Sequence, residues 1–161
     1  MNLTNDEAQL LIALQKRMKQ IELCIRPPGR VGMYPATDLE GARTFLFRMR
    51  VANGNHVGRH KTSYNLFYDG YQLLRLDTYG NGMHTNGDGS TIPACTPHIH
   101  IYDENEIPQD HHAYPLPTSF TDPENDIKTL LQFLEYANVV DVENLTVVQQ
   151  GVMGDVNDIH R

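Results

Sequence analysis

The chain has few cysteines and no long apolar segment. Its 161 residues include two cysteines, Cys24 and Cys95, which excludes a disulfide-dense secreted scaffold and a zinc site with four cysteine ligands. No apolar run approaches the roughly 20 residues that a membrane-spanning helix requires. The polar, acidic first residues are unlike a signal peptide. We therefore expect a cytoplasmic protein that does not associate with membranes.

Motifs for several enzyme classes are also missing. The sequence contains no Gly-x-x-x-x-Gly-Lys phosphate loop, no Gly-x-Gly-x-x-Gly after a predicted strand, no Cys-x-x-Cys and no His-Glu-x-x-His. None of the phosphate, dinucleotide or metal sites built on those motifs is therefore predicted.

Charge is distributed unevenly along the chain. The formal net charge is -7, yet residues 43–75 carry six basic side chains and one acid, whereas residues 76–161 carry two basic and fourteen acidic ones. The acidic half can serve solubility alone. Alternatively, the basic segment forms a sheet face that binds an anion such as a phosphate or a nucleic acid. The overall negative charge argues against non-specific DNA binding.

Apolar spacing predicts two helices. A capping box at Thr4 and Glu7 begins the first one, which we expect to continue to the proline pair at Pro27. Its apolar positions recur at helical spacing: Leu11, Leu14, Met18 and Ile21. The second helix is expected to begin at Asp122 as N-cap and to end at Asn138.

Alternation with a period of two predicts an antiparallel meander. Strands are expected over residues 43–51, 60–68, 71–79 and 98–102, with a fifth if residues 139–148 are extended. The turns are Asn53-Gly54 and Asp69-Gly70, and residues 26–41 and 80–97 are expected to be loops. The predicted fold is α+β, a sheet of four to five strands with two amphipathic helices packed on one face. It forms a single domain over residues 1–148, followed by a C-terminal tail over 149–161.

The segment from Asp77 to Tyr114 holds five of the eight histidines. His98 and His100 are two apart on a predicted strand and therefore share a face with Tyr102. Such a pair suits metal binding with a carboxylate as third ligand, or proton transfer near neutral pH. His98-x-His100-x-x-x-Glu104 matches the centre of the first cupin metal motif, but the flanking glycines and the second motif are missing. Metal binding is the weaker alternative, and the predicted site has no metal and no cofactor.

Metal-free RNA cleavage needs a base for the 2'-hydroxyl, an acid for the leaving oxygen, and cations near the phosphate. The predicted catalytic residues are His98, His100, Asp77 and Tyr102. The two histidines are acid and base, and Asp77 or Tyr102 orients one of them. The predicted substrate-binding residues are Arg50, Arg75, His84 and Asn86. A solvated sheet face whose histidines bond to loop backbone is the alternative without catalysis.

Several segments together resemble a known group of sequences. They are Arg75-Leu76-Asp77 and residues 84–89, 97–102, 113–117 and 136–138. They are similar to a family of small uncharacterised bacterial and phage proteins, a domain of unknown function with a Pro-His-Ile-His-Ile-Tyr strand. The Pro-His-x-His element resembles, more loosely, toxin-like proteins of toxin–antitoxin loci. The resemblance implies a compact α+β domain in mobile or defence-linked DNA, and no established reaction.

We therefore predict a small toxin-like ribonuclease or a related phosphodiester-acting protein, with RNA as its partner. The alternative is a non-enzymatic interaction protein, such as an antitoxin, a phage accessory protein or an inhibitor. It would bind a partner protein through its acidic C-terminal half. An exposed edge strand could also pair two copies, so a homodimer remains open.

Overall fold

The computed structural model describes residues 2–53, 61–79 and 82–150, and the backbone of residues 156–160. This part of the chain contains two α-helices, α1 (Asn5–Ala13) and α2 (Asp126–Tyr136), neither of which is long and apolar enough to cross a membrane. The strands, in chain order, are β1 (Lys16–Met18), β2 (Glu22–Ile25), β3 (Val31–Asp38), β4 (Thr44–Val51), β5 (Thr62–Tyr68), β6 (Tyr71–Asp77), β7 (His84–Thr85), β8 (Thr91–Ile92), β9 (His98–Ile101), β10 (Ala113–Pro115), β11 (Thr146–Gln150) and β12 (Val156–His160).

A large antiparallel sheet organises the fold. It has seven strands in the order β1-β3-β4-β5-β6-β9-β10. A smaller sheet has the order β12-β11-β2, in which β11 runs parallel to β2, and β7 and β8 form a separate ribbon. The predicted α+β class with two helices and an antiparallel sheet is confirmed, whereas the predicted number of four to five strands was too low.

The strand β3 lies where a loop was expected, over residues 26–41. Its sequence gives a weak strand signal because it contains Gly32 and Pro35. The carbonyl of Pro35 accepts a 3.0 Å hydrogen bond from the Lys19 N–H, just beyond the end of β1. The nitrogen and the carbonyl of one strand residue point to the same side, so the proline nitrogen also faces the β1 side of β3. No ladder bond to β4 is lost there, and proline is tolerated.

The helix α1 has the predicted beginning but not the predicted end. Thr4 Oγ1 accepts from the Glu7 N–H at 3.1 Å, and the Glu7 carboxylate accepts from the Thr4 N–H at 2.9 Å. The helix ends at Ala13 rather than near Pro27. Residues 16–18 instead form β1, which pairs with residues 36–38 of β3, and the backbone of Lys16 also bonds to residues 138 and 140. This tertiary pairing overrides the local helical spacing.

Two expectations near the C-terminus also change. The N-cap of α2 is Asn125, whose side chain accepts from the Lys128 N–H at 3.0 Å, and not Asp122. Residues 139–148 do not form one strand: a 3-10 turn over Val142–Asn144 precedes β11. The expected tail begins inside β11, which pairs with β12; residues 151–155 and 161 lie outside the described residues.

The meander closely follows its predicted pattern. The turn between β5 and β6 has positive φ at Asp69 (48°) and Gly70 (81°), as a type I′ hairpin turn requires. The other predicted turn, Asn53-Gly54, and the predicted strand start at His60 lie partly or wholly outside the described residues.

Both helices pack on the sheet at a buried lysine. Lys16 Nζ donates to the carbonyls of Ile12, Leu14 and Ala137, each at 2.8 Å, and lies 4.8 Å from the centroid of the Phe45 ring. The C-terminal ends of α1 and α2 therefore meet above the Phe45 face of the sheet. The buried residues of both helices join that face in one hydrophobic core.

Candidate active site and basic groove

Two rows of polar side chains cross the large sheet on the face opposite the core. Residues paired directly across antiparallel strands project to the same face. One row consists of Arg48, Asn65, Arg75 and His100, on β4, β5, β6 and β9. The other row consists of Arg50, Ser63, Asp77 and His98 on the same strands. The register thus brings five predicted site residues onto one face.

A groove of about 730 Å³ runs over the β4, β5 and β6 members of these rows, as far as Arg75 and Asp77. Its lining includes four basic side chains and one acid: Arg48, Arg50, Lys61, Arg75 and Asp77. Within the described residues, only Arg75 of these basic groups forms an ion pair. Arg48 instead lies over the Phe67 ring, 4.7 Å from its centroid. The groove therefore carries uncompensated positive charge and suits an anionic ligand.

Arg75 connects three functional groups at the end of the groove. Its Nε donates to Asp77 Oδ2 at 2.9 Å, its Nη1 donates to Asp110 Oδ2, and its Nη2 donates to His100 Nε2 at 2.9 Å. Gln72 also donates to Asp110 Oδ2, at 2.6 Å. Because a guanidinium has five N–H donors, two of them remain for a phosphate.

The contacts of His100 fix its protonation pattern. Its Nδ1 lies 3.1 Å from the His111 carbonyl, which can only accept, so Nδ1 donates. Its Nε2 must accept, because the guanidinium of Arg75 can only donate. The side chain is 1% exposed. Buried with both nitrogens bonded, His100 is better placed to hold Arg75 than to exchange a proton with a substrate.

His98 differs from His100 in the hydrogen bonds of its two ring nitrogens. Its Nδ1 donates to the Thr96 carbonyl at 2.8 Å, so the neutral ring carries its lone pair on Nε2. That atom lies 3.8 Å from Asp77 Oδ2. Burial, partly offset by the bond to Thr96, lowers the pKa of His98. A neutral imidazole with an available Nε2 lone pair has the properties of a general base.

His84 completes a group of neighbouring imidazoles. Its ring is stacked with that of His98 at a centroid distance of 6.1 Å, and lies 5.1 Å from that of His100 and 4.9 Å from that of His111. Burial lowers the pKa of His84, and the neighbouring rings of His100 and His111 lower it further, because protonation of adjacent imidazoles is mutually unfavourable. The predicted binding residue His84 thus lies beside the predicted catalytic pair.

Asn86 connects the loop of the β7–β8 ribbon to Ala113 of β10. Its side-chain amide donates to the Ala113 carbonyl at 2.9 Å and to Ser90 Oγ at 3.0 Å, and its oxygen accepts from the Ala113 N–H at 2.8 Å. The same oxygen lies 3.0 Å from His84 Nε2. Asn86 is buried, so its geometry supports the β7–β8 ribbon and orients His84.

Asp77 is held as an anion. Its carboxylate accepts from Ser63 Oγ at 2.9 Å as well as from Arg75. Burial acts to raise the pKa of Asp77, but the Arg75 guanidinium and the hydrogen bond from Ser63 outweigh it, and the pKa lies well below its usual range. The negative charge is therefore present throughout the neutral pH range.

Tyr102 does not lie with the other predicted catalytic residues. Its hydroxyl donates to the Leu3 carbonyl at 2.6 Å, and its ring meets Tyr71 edge-on at a centroid distance of 6.0 Å. The side chain is buried in the hydrophobic core. The prediction that it shares a face with His98 and His100 was wrong, because β9 ends at Ile101 and the alternation ends with it.

Three residues offer a geometry that a metal ion can use. Ligand atoms of Asp77, His98 and His100 all lie within 4.8 Å of one another. Both imidazoles donate Nδ1 to backbone carbonyls, as metal-ligating histidines commonly do. However, Arg75 already donates to two of the three groups. A cation would have to displace this guanidinium.

Residues 3–139, most of the chain, match the family model of DUF6978, a family of unknown function. The chain belongs to this family. The expected membership of an uncharacterised domain family is thereby confirmed. No curated protein and no solved structure is detectably similar to the chain. The matched region contains both rows of polar side chains and the neighbouring loop with Asp110.

Some members of the site were not predicted. Ser63 lies opposite Asp77, but counting outward from the Asp69-Gly70 turn would place Thr62 there, because the register between β5 and β6 shifts by one residue between Leu66 and Phe67. Asp110 and the His111 carbonyl come from the loop between β9 and β10, whose sequence shows no periodicity. No signal in that loop identified them.

Proposed function

We propose that the protein cleaves RNA by attack of a 2'-hydroxyl on the adjacent phosphate, without a metal ion. The observation that supports this most directly is the position of His98 Nε2. It carries an available lone pair 3.8 Å from the Asp77 carboxylate, which lines the end of a basic groove together with the Arg75 guanidinium and its unused donors. A base, a cation and an anion-binding path therefore adjoin one another.

In the proposed reaction, His98 Nε2 removes the proton from the 2'-hydroxyl. The 2'-oxygen forms a bond to phosphorus, and the bond from phosphorus to the 5'-oxygen breaks. Protonated His84 gives its proton to that departing 5'-oxygen. The products are a 2',3'-cyclic phosphate and a 5'-hydroxyl, so no co-reactant is needed.

The remaining groups stabilise the charges that develop in the reaction or hold the reacting side chains in position. The two unused N–H groups of Arg75 are directed to the charge that develops on the phosphate. Asp77 attracts the imidazolium that forms at His98, from 3.8 Å. His100 and Asp110 hold the guanidinium of Arg75 in its orientation.

The test is cleavage of a fluorogenic oligoribonucleotide in the presence of EDTA. We expect His98→Ala and His84→Ala each to lower kcat by about 10²–10⁴-fold. His112→Ala is the matched control, because that ring contacts Tyr114 at a centroid distance of 4.6 Å and lies near Glu106. A substrate with 2'-deoxyribose at the cleaved position should remain intact.

Three outcomes would contradict the proposal. Loss of cleavage with EDTA would favour a metal ion on Asp77, His98 and His100. Cleavage of the 2'-deoxy substrate would exclude attack by the 2'-oxygen. Full activity of His98→Ala would remove the proposed base.

An interaction protein that uses its acidic half has less support. Several of these acids bond within the domain. Asp77 and Asp110 bind Arg75, and Asp126 accepts from Thr62 Oγ1 at 3.1 Å while buried. These carboxylates are therefore committed to the fold and the site.

A further inference from the structure

We propose that the groove beyond Arg75 is a second phosphate-binding subsite for single-stranded RNA, which binds the chain next to the cleaved bond. This inference rests on the proposed function and adds the substrate class. It assigns Arg48, Arg50 and Lys61 to contacts with phosphates that do not react.

The distance across the groove between β4 and β6 is too long for a ligand with a single phosphate to match all its basic side chains. Arg48 and Arg50 are on β4, two strands away from Arg75 on β6. At ~4.8 Å between neighbouring strands, the backbones are about 10 Å apart. A single phosphate held by Arg75 next to His98 would leave the charge at Arg50 unmatched. A ligand that matches the whole groove carries at least two phosphates.

The basic side chains are available for this contact. Arg50 is exposed, and the described residues give it no acidic partner. Arg48 is held over Phe67, and its Nε lies 3.4 Å from Asn65 Oδ1. This support leaves its terminal amino groups for a ligand and reduces the side-chain entropy that binding would cost.

The recess at the catalytic end favours a single strand. The side chains of His98 and His100 are 12% and 1% exposed, so only a small part of the His98 ring is open to a substrate. Single-stranded RNA can turn a phosphate and its bases out of line, whereas a helix presents its phosphates at fixed positions. A positively charged groove that follows the backbone is typical of proteins that bind single strands.

Binding is measured on the His98→Ala protein, so that the RNA stays intact. The probe is a fluorescein-labelled octaribonucleotide without self-complementarity, followed by anisotropy from about 50 to 200 mM salt. We expect Arg48→Gln and Arg50→Gln, each added to His98→Ala, to reduce the log–log salt slope by about 0.7. Lys128→Gln removes the same charge from α2 and should leave the slope unchanged. A blunt duplex of the same sequence should bind more weakly.

Cleavage by the wild-type protein provides a separate readout. An octaribonucleotide should have a higher kcat/KM than a dinucleoside monophosphate, and Arg50→Gln should remove that advantage through KM. Equal kcat/KM for both substrates, or an unchanged salt slope, would overturn the subsite while cleavage itself stands. Binding with the expected slopes but no cleavage would support the subsite and refute the proposed reaction. Equal binding of the duplex would overturn the preference for single strands.

Discussion

Arg75 and His100 lie opposite each other on β6 and β9, and Nη2 of Arg75 donates a 2.9 Å hydrogen bond to His100 Nε2. Because of this bond, His98 and His100 have different roles, although the two histidines look equivalent in the sequence. His98 keeps an Nε2 lone pair, 3.8 Å from Asp77 Oδ2, whereas both nitrogens of His100 bond within the protein. The two residues should therefore respond differently to substitution.

His98→Ala should abolish most RNA cleavage and leave the folded protein almost as stable as the wild type. His100→Ala should also destabilise the fold by about 1–3 kcal/mol, because it removes a side chain that is 1% exposed and takes the partner from an Arg75 N–H and from the His111 carbonyl. Urea unfolding followed by circular dichroism, combined with kcat, distinguishes the two. Equal losses of stability in both variants would contradict the assigned roles.

The pH dependence should show an optimum below pH 6.5. The proposed reaction needs His98 neutral and His84 protonated, and the pKa of each lies below its ordinary value of 6.5. The product of the two required fractions is largest between the two pKa values. The measurement is kcat/KM from about pH 4 to 8. A maximum on the alkaline side of pH 7 would be incompatible with this pair.

Asp77 should contribute to stability in a way that acid removes. Its pKa in the folded protein lies below the ordinary value of 3.8, so the unfolded chain binds the proton more readily. The contribution is complete above that ordinary value and is lost as the pH falls below it toward the lowered folded pKa. The wild type should be more stable than Asp77→Asn at pH 7, and the difference should shrink at pH 2 to 3. A constant difference across that range would exclude the ion pair as its cause.

The sequence predicts best where local pattern and tertiary structure agree. The alternation over β4 is confirmed because one face of that strand lies in the core. The Asp69-Gly70 turn sets the pairing of β5 and β6 only as far as Phe67, beyond which a register shift displaces every pair by one residue. The strand β3 was not predicted, since Pro35 fits only where the neighbouring strand has ended. The strand β1 was mistaken for helix because its pairing partners are distant in sequence.

The same distinction applies to the site. Alternation on adjacent strands suffices to place Arg75, Asp77, His98 and His100 on one face. The different bonding of the two histidines depends on the Thr96 and His111 carbonyls, and the second anchor of Arg75 is Asp110. Backbone carbonyls and aperiodic loops leave no pattern in a single sequence, so these features require coordinates.

Lys16 offers a test of how the helices are held on the sheet. Its side-chain nitrogen donates to three carbonyls at the C-terminal ends of α1 and α2 and is fully buried. Burial lowers the pKa of Lys16 to about 7, so the ammonium form with three donors predominates below pH 7. Lys16→Met keeps most of the apolar volume but removes all three donors, so the carbonyls lose their partners. We expect a loss of about 2–3 kcal/mol in the free energy of unfolding. The control is Arg17→Met, whose side chain is exposed on the same strand, and the measurement is urea unfolding of both variants. If the two substitutions cost the same, the lysine does not join the helices to the sheet.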